Sequence, residues 1–147
     1  MLALIRPDSW NFPLFLHVFG AFLLVGTVTA GVVAELASAR SVDGGRLRQV
    51  AFRSFLFGAL PAYVVMRIGA EWMHSKEFGS SGTDPAWVGI GYGIADFGGV
   101  ALLIALILSG FAARRSKPGL GRAAGILAAI TLAAWLVAIW AMGAKPT

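Results

Sequence analysis

The sequence predicts an all-α fold: a polytopic membrane protein whose four transmembrane helices form an up-down antiparallel bundle. Three observations carry that expectation. Hydrophobic residues make up 58% of the 147-residue chain and charged residues only 13%, with a mean hydropathy of +0.78, well outside the usual soluble range. The apolar residues are also blocked into four runs, Phe12 to Ala34, Phe55 to Trp72, Trp87 to Ala113 and Ala123 to Gly143. Each run can supply the ~20 residues that a helix needs to cross ~30 Å of hydrocarbon. Finally, the connectors are short and rich in turn formers, which makes consecutive helices antiparallel neighbours.

Helix 1 is expected over about residues 11–38. Ala37-Ser38-Ala39 resembles a signal-peptide cleavage site. The preceding apolar run is too long for a typical signal core, and its leader holds only Arg6, balanced by Asp8, so an uncleaved helix is expected. Ser38 to Gln49, with Asp43, Gly44 and Gly45, reads as the first turn. Helix 2 is expected over about residues 50–75, with Pro61 weakening one backbone bond and kinking the helix near its middle. His74 to Ala86 contains Gly79, Ser80, Ser81, Gly82 and Pro85 and reads as the second turn. Helix 3 follows over about 87–113, a turn at Arg114 to Gly121 around Pro118 and Gly119, and helix 4 over about 121–144. Residues 1–147 thus read as one transmembrane domain without room for a soluble catalytic unit. No convincing internal repeat is present, although the second and fourth spans both follow Arg-rich turns.

Basic residues are distributed asymmetrically. Arg40, Arg46, Arg48 and Arg53 surround the first turn, and Arg114, Arg115, Lys117 and Arg122 the third, against Arg6, Lys76 and Lys145 elsewhere and Arg67 within a span. The positive-inside rule then places the connectors between helices 1 and 2 and between helices 3 and 4 in the cytoplasm, with both termini outside a bacterial plasma (inner) membrane. An isoelectric point near 10.5 does not imply nucleic-acid binding here, because such patches are the topology signal and also meet anionic headgroups. Trp10, Trp72, Trp87 and Trp140 lie near the expected outer ends, as an interfacial aromatic belt would. Trp135 lies just outward of its span's centre, and the alternative to a belt is that some of the five tryptophans wall an outward-facing pocket.

Polar residues inside the spans are the best lead to a site, because a charge in hydrocarbon costs roughly 2.5 to 3.5 kcal/mol on insertion scales and usually faces the bundle interior. Arg67, Glu71 and His74 fall three to four residues apart and form one stripe on a helix. Counted at ~1.5 Å per residue from the outer ends, His17 lies ~9 Å deep, Arg67 ~10 Å and Asp96 ~13 Å. These residues can therefore meet in the outer half of the bundle, with His74 at its rim. Arg67 can pair with Asp96 across helices or with Glu71 at i,i+4, and Glu35 can meet Arg53 at the inner end. Gly89 with Gly93, Ala95 with Gly99, and Gly121 with Gly125 are small-xxx-small pairs suited to close helix approach.

Other chemistries find little support, and the motifs lean away from an enzyme. The chain has no cysteine, hence no disulfide, thiolate metal site or cysteine nucleophile. It also lacks an HExxH motif and a phosphate-binding loop ending in Lys-Ser/Thr. Gly89, Gly91 and Gly93 form GxGxG inside an apolar span, where packing is the expected role.

Leu16-His17-Val18-Phe19-Gly20-Ala21, followed by Leu24-Val25-Gly26, resembles the first-helix motif of the CopD-like small integral membrane proteins. Arg67-Ile68-Gly69 and Gly89-Ile90-Gly91-Tyr92 leading to Ala95-Asp96 resemble small actinobacterial membrane proteins that carry no function to transfer. The CopD-like resemblance implies a haem b or metal role for His17, with Gly20 leaving room for a flat macrocycle, Arg67 available to a propionate and His74 as a second axial ligand. Three functions stay open: a haem-binding or redox-associated protein; an accessory or assembly subunit that binds another membrane protein or itself; and ion, proton or copper movement through Arg67, Glu71 and Asp96, with Met66, Met73 and His74 as an entry site.

Overall fold

The computed structural model describes residues 8–77, 79 and 86–144, the last three as backbone only. Arg6, Ser80, Ser81, Gly82, Pro85 and Lys145 lie outside the described residues. All regular structure among the described residues is helical. A 3₁₀ turn at Asp8–Trp10 leads into α1 (Asn11–Ser38). The second span is built from α2 (Gly44–Arg53), a π-helical turn (Ser54–Ala59) and α3 (Leu60–Glu77). The chain continues in α4 (Ala86–Arg115) and α5 (Pro118–Ala144). Four helices are long and apolar enough to cross a membrane, spanning Asp8–Ser38, Gly44–Glu77, Ala86–Arg115 and Pro118–Ala141.

The expected spans are all present, but two turns are shorter than expected. Gly44 and Gly45 are helical, so the first turn ends at Asp43. Gly44 belongs there because a Cβ would collide with the Ser38 carbonyl oxygen. The turn expected over Arg114 to Gly121 shrinks to Ser116 and Lys117. Ser116 takes φ 50°, a left-handed conformation that ends α4, and Pro118 opens α5, where its missing N–H removes no helical bond. At Pro61 the expected weakening takes a specific form. The π turn immediately precedes the proline and bonds Leu60 N–H to the Phe55 carbonyl, a wider i→i+5 closure at the point where the proline ring would crowd residue 57.

Contacts between α1 and the second span run in opposite order along the two segments. Gly69 meets His17, Met66 meets Gly20, Gly58 meets Thr27, and Phe55 meets Gly31. Gly20 and Gly69 allow this close approach, for a Cβ on Gly20 would lie 2.5 Å from Met66 N and 2.8 Å from its Cα. Ser54 fastens the same seam by donating its hydroxyl to the Thr27 carbonyl at 2.7 Å.

The interior is dominated by small and medium side chains. Ala51, Ala59, Ala105, Ala112, Ala124 and Ala128 are buried around Leu24, Val28, Phe55 and Leu102. Large apolar groups point outward instead, including Phe22, Phe57, Phe97 and Ile130, all more than 60% exposed. Thr27, Thr29 and Thr131 return their hydroxyls to carbonyls four residues earlier, which satisfies them without water.

Candidate functional site

Arg67 is the centre of the polar cluster. Its Nη2 lies 3.0 Å from Glu71 Oε1 and 3.0 Å from Asp96 Oδ1, so the two pairings left open by the sequence are both made, by one nitrogen. The guanidinium also lies over the Tyr92 ring, 5.0 Å from its centroid, and His74 meets that ring edge-on at 5.4 Å. The geometry follows from helix phase. Arg67, Glu71 and His74 share one face of α3, and Tyr92 and Asp96, four residues apart, share one face of α4.

This cluster does not point wholly inward. Glu71 and Asp96 side chains are 56% and 62% exposed, against 23% for Arg67. They lie on the seam between α3 and α4, whose backbones approach at few points and which is bridged by this ion pair, by the Tyr92 contacts and by Tyr63. Tyr63 donates its hydroxyl to the Ala95 carbonyl at 3.1 Å and packs against Gly99. Asp96, Val64, Val100 and Leu103 line a shallow groove on the outer side of the seam.

Behind the cluster, all four spans enclose a small, mainly apolar cavity of about 70 Å³, lined by His17, Leu24, Met66, Arg67, Tyr92, Ala95 and Trp135 among others. Trp135, 5% exposed, stacks on Tyr63 with centroids 6.3 Å apart and so walls this pocket, whereas Trp72 and Trp140 are exposed. His17 and Arg67 therefore share one cavity, while Glu71, Asp96 and His74 are not among its lining residues.

His17 Nδ1 lies 3.2 Å from the Met66 carbonyl. A carbonyl only accepts, so Nδ1 carries the hydrogen of this bond, and in a neutral ring that leaves Nε2 with the lone pair. That tautomer suits a ligand, but the surroundings do not suit haem. Gly20, expected to clear space for a macrocycle, instead has the α3 backbone at Met66 pressed against it. The cavity is also smaller than the ~150 Å³ that accommodates benzene in an engineered protein core. His74 packs on Tyr92 rather than opposite His17, and no group of three metal-ligating His or acidic side chains occurs among the described residues. His17 and His74 therefore do not face each other across a space of macrocycle size.

A second polar cluster lies at the other end of the bundle. Glu35 is fully buried and accepts a hydrogen bond from Ser109 Oγ. Its Oε2 faces Gly121, as does the Arg48 side chain. The expected Glu35 to Arg53 pairing is replaced by this arrangement, because Arg48, Ala51 and Phe55 repeat at helical spacing toward α1 while Arg53, two residues past Ala51, is turned outward and exposed. Ser109 and Tyr92 were not anticipated. An isolated hydroxyl within an apolar span, and an aromatic four residues before Asp96, are the signals that mark them. Between the two clusters, Val28, Phe55, Ala59 and Leu102 form a dry layer, each 1% exposed or less.

The small-residue pairs also separate. Gly121 and Gly125 pack on Glu35 and Leu36, and Gly99 on Tyr63, whereas Gly89 and Gly93 have nothing within 4 Å of an added Cβ. Gly89 and Gly93 instead border an outward apolar groove between α4 and α5.

Comparison with protein-family models finds no match, and comparisons with curated proteins and with solved structures find none either.

Proposed function

We propose that the chain is an accessory subunit of a membrane assembly, an antiparallel four-helix bundle of the bacterial plasma membrane with its two Arg-rich turns in the cytoplasm. Its partner is another membrane protein, docked along the α3/α4 seam. One observation carries this reading: a single arginine serves two carboxylates, both more than half exposed on that seam. Formally Arg67, Glu71 and Asp96 together keep one negative charge, which is costly at the edge of hydrocarbon and which a partner's cation would offset. The partner's chemistry follows as a transmembrane helix with a basic side chain at the depth of Asp96. The outward-facing large apolar side chains and the opposite order of the α1 contacts support the membrane bundle itself. The dry layer between the polar clusters favours docking over ion movement, since it interrupts any polar path through the bundle.

Photocrosslinking in native membranes tests the proposal. A photoreactive residue replacing Val100, exposed one turn from Asp96, is expected to give a discrete heavier adduct that is lost in D96N. The same probe at Phe22, on the α1 surface, is expected to give only lipid adducts. No protein adduct at position 100, or one indifferent to D96N, rejects the reading.

A further inference from the structure

We infer that the cleft between the C-terminal end of α1 and the first turns of α5 is a binding site for an anionic phospholipid, with Arg40 and Arg122 holding its phosphodiester. The cleft measures about 740 Å³ and is lined by Leu36, Ala37, Ala39, Arg40, Ser41, Arg122 and Ile126. Its size falls within the range of small-molecule sites.

The arginines of this end have different surroundings. Arg48 is drawn inward beside Glu35 and Gly121, and Arg115 lies over the Phe111 ring at 5.2 Å. Arg40 and Arg122 are exposed and make no ion pair among the described residues, where the pairs present are those of Arg67. Both line one cleft to which no carboxylate contributes. Two guanidinium forks without an internal partner match a phosphate, which accepts paired N–H donors.

Ser41 adds a polarised hydroxyl. Its Oγ accepts the Asp43 backbone N–H at 3.1 Å, so its own hydrogen is left to donate.

The apolar part of the cleft selects lipid over free phosphate. Leu36 and Ile126, 42% and 46% exposed, lie immediately on the hydrocarbon side of the arginines along their helices and present a wall for an acyl chain. Gly125 brings α5 against Leu36, closing the floor. Basic pockets between transmembrane helices at the membrane surface hold lipid headgroups in this way.

Native mass spectrometry of the purified chain in mild detergent tests the site, with dioleoylphosphatidylglycerol, dioleoylphosphatidylcholine and inorganic phosphate as probes. At about fivefold per arginine, R40Q/R122Q is expected to weaken phosphatidylglycerol binding about 25-fold and to weaken phosphatidylcholine binding much less, because the choline cation already opposes the arginines at the shared phosphodiester. R46Q/R114Q removes the same charge from the same end outside the cleft, and is expected to change binding less than about threefold. Equal weakening by both double variants overturns the proposal, as does equal binding of the two lipids. Displacement of the lipid by millimolar phosphate assigns the arginines to the free ion and overturns the lipid site. Should R40Q/R122Q fail to fold, the single variants are each expected to lose about fivefold, and no loss in either rejects the inference.

Discussion

Adding one methyl group at Gly20 is expected to destabilise the bundle, and adding a second at Gly69 to cost less than the first. An alanine Cβ at position 20 would lie 2.5 Å from Met66 N, 2.8 Å from its Cα and 3.0 Å from the Ala62 carbonyl oxygen. Ordinary contact begins near 3.5 Å, and these atoms are helix backbone, so α1 and α3 must part by about 1 Å. A gap of that size forfeits roughly a quarter to a half of the dispersion attraction of each contact across the seam. Overpacking of this kind costs about 1 to 3 kcal/mol, offset by about 1 kcal/mol from the better helix propensity of alanine. The net loss is then about 0 to 2 kcal/mol. At position 69 a Cβ would meet the backbone of His17, with its Cα at 2.7 Å, on the same seam. One separation relieves both collisions. Equilibrium unfolding of wild type, G20A, G69A and the double variant in mixed micelles measures the coupling. G26A serves as control, since nothing lies within 4 Å of an added Cβ there, and is expected to be neutral or slightly stabilising. Additivity within about 0.5 kcal/mol, or a G26A loss equal to that of G20A, refutes the shared rigid crossing.

The remaining expectations concern polar groups. R67M leaves Glu71 and Asp96 without their common cation, and is expected to lower stability in micelles by about 2 kcal/mol, while R67M/E71Q/D96N recovers most of the loss. Failure of the triple variant to recover would mean that the arginine acts through its packing on Tyr92. S109A removes the donor to a fully buried carboxyl oxygen of Glu35, at an expected cost of about 1 to 3 kcal/mol by equilibrium unfolding; a neutral result would show that another donor replaces it. The purified chain is expected to lack a Soret band before and after incubation with hemin, because the α3 backbone occupies the space beside Gly20. A stoichiometric Soret band that disappears in H17A would reverse that conclusion.

Much of the candidate site is legible in the amino-acid sequence. The spacing of Arg67, Glu71 and His74 placed them on one face, and depth counting brought Asp96 to the level of Arg67. Burial was not legible, because the same helical phase is compatible with a stripe facing the bundle centre or its seam. His17 likewise had the right depth for the cluster, yet its ring bonds the Met66 carbonyl, a partner no side-chain pattern announces. The Glu35 pairing failed for a related reason. Arg53 and Arg48 are both near the correct end, and only the rotation of α2 decides which one turns inward.

Amino-acid composition and periodicity alone determined that the regular structure of the described residues is helical and that four of those helices are long and apolar enough to span a membrane. These are local quantities, set by runs of apolar residues and by Gly and Pro at the connectors. The tertiary structure decided which small residues are consumed by packing, which arginine lies beside Glu35, and that Arg67 lines the cavity while Glu71 and Asp96 open sideways. Those outcomes depend on how each helix is rotated against its neighbours. In a chain apolar on nearly every face, hydrophobic periodicity carries little information about that rotation.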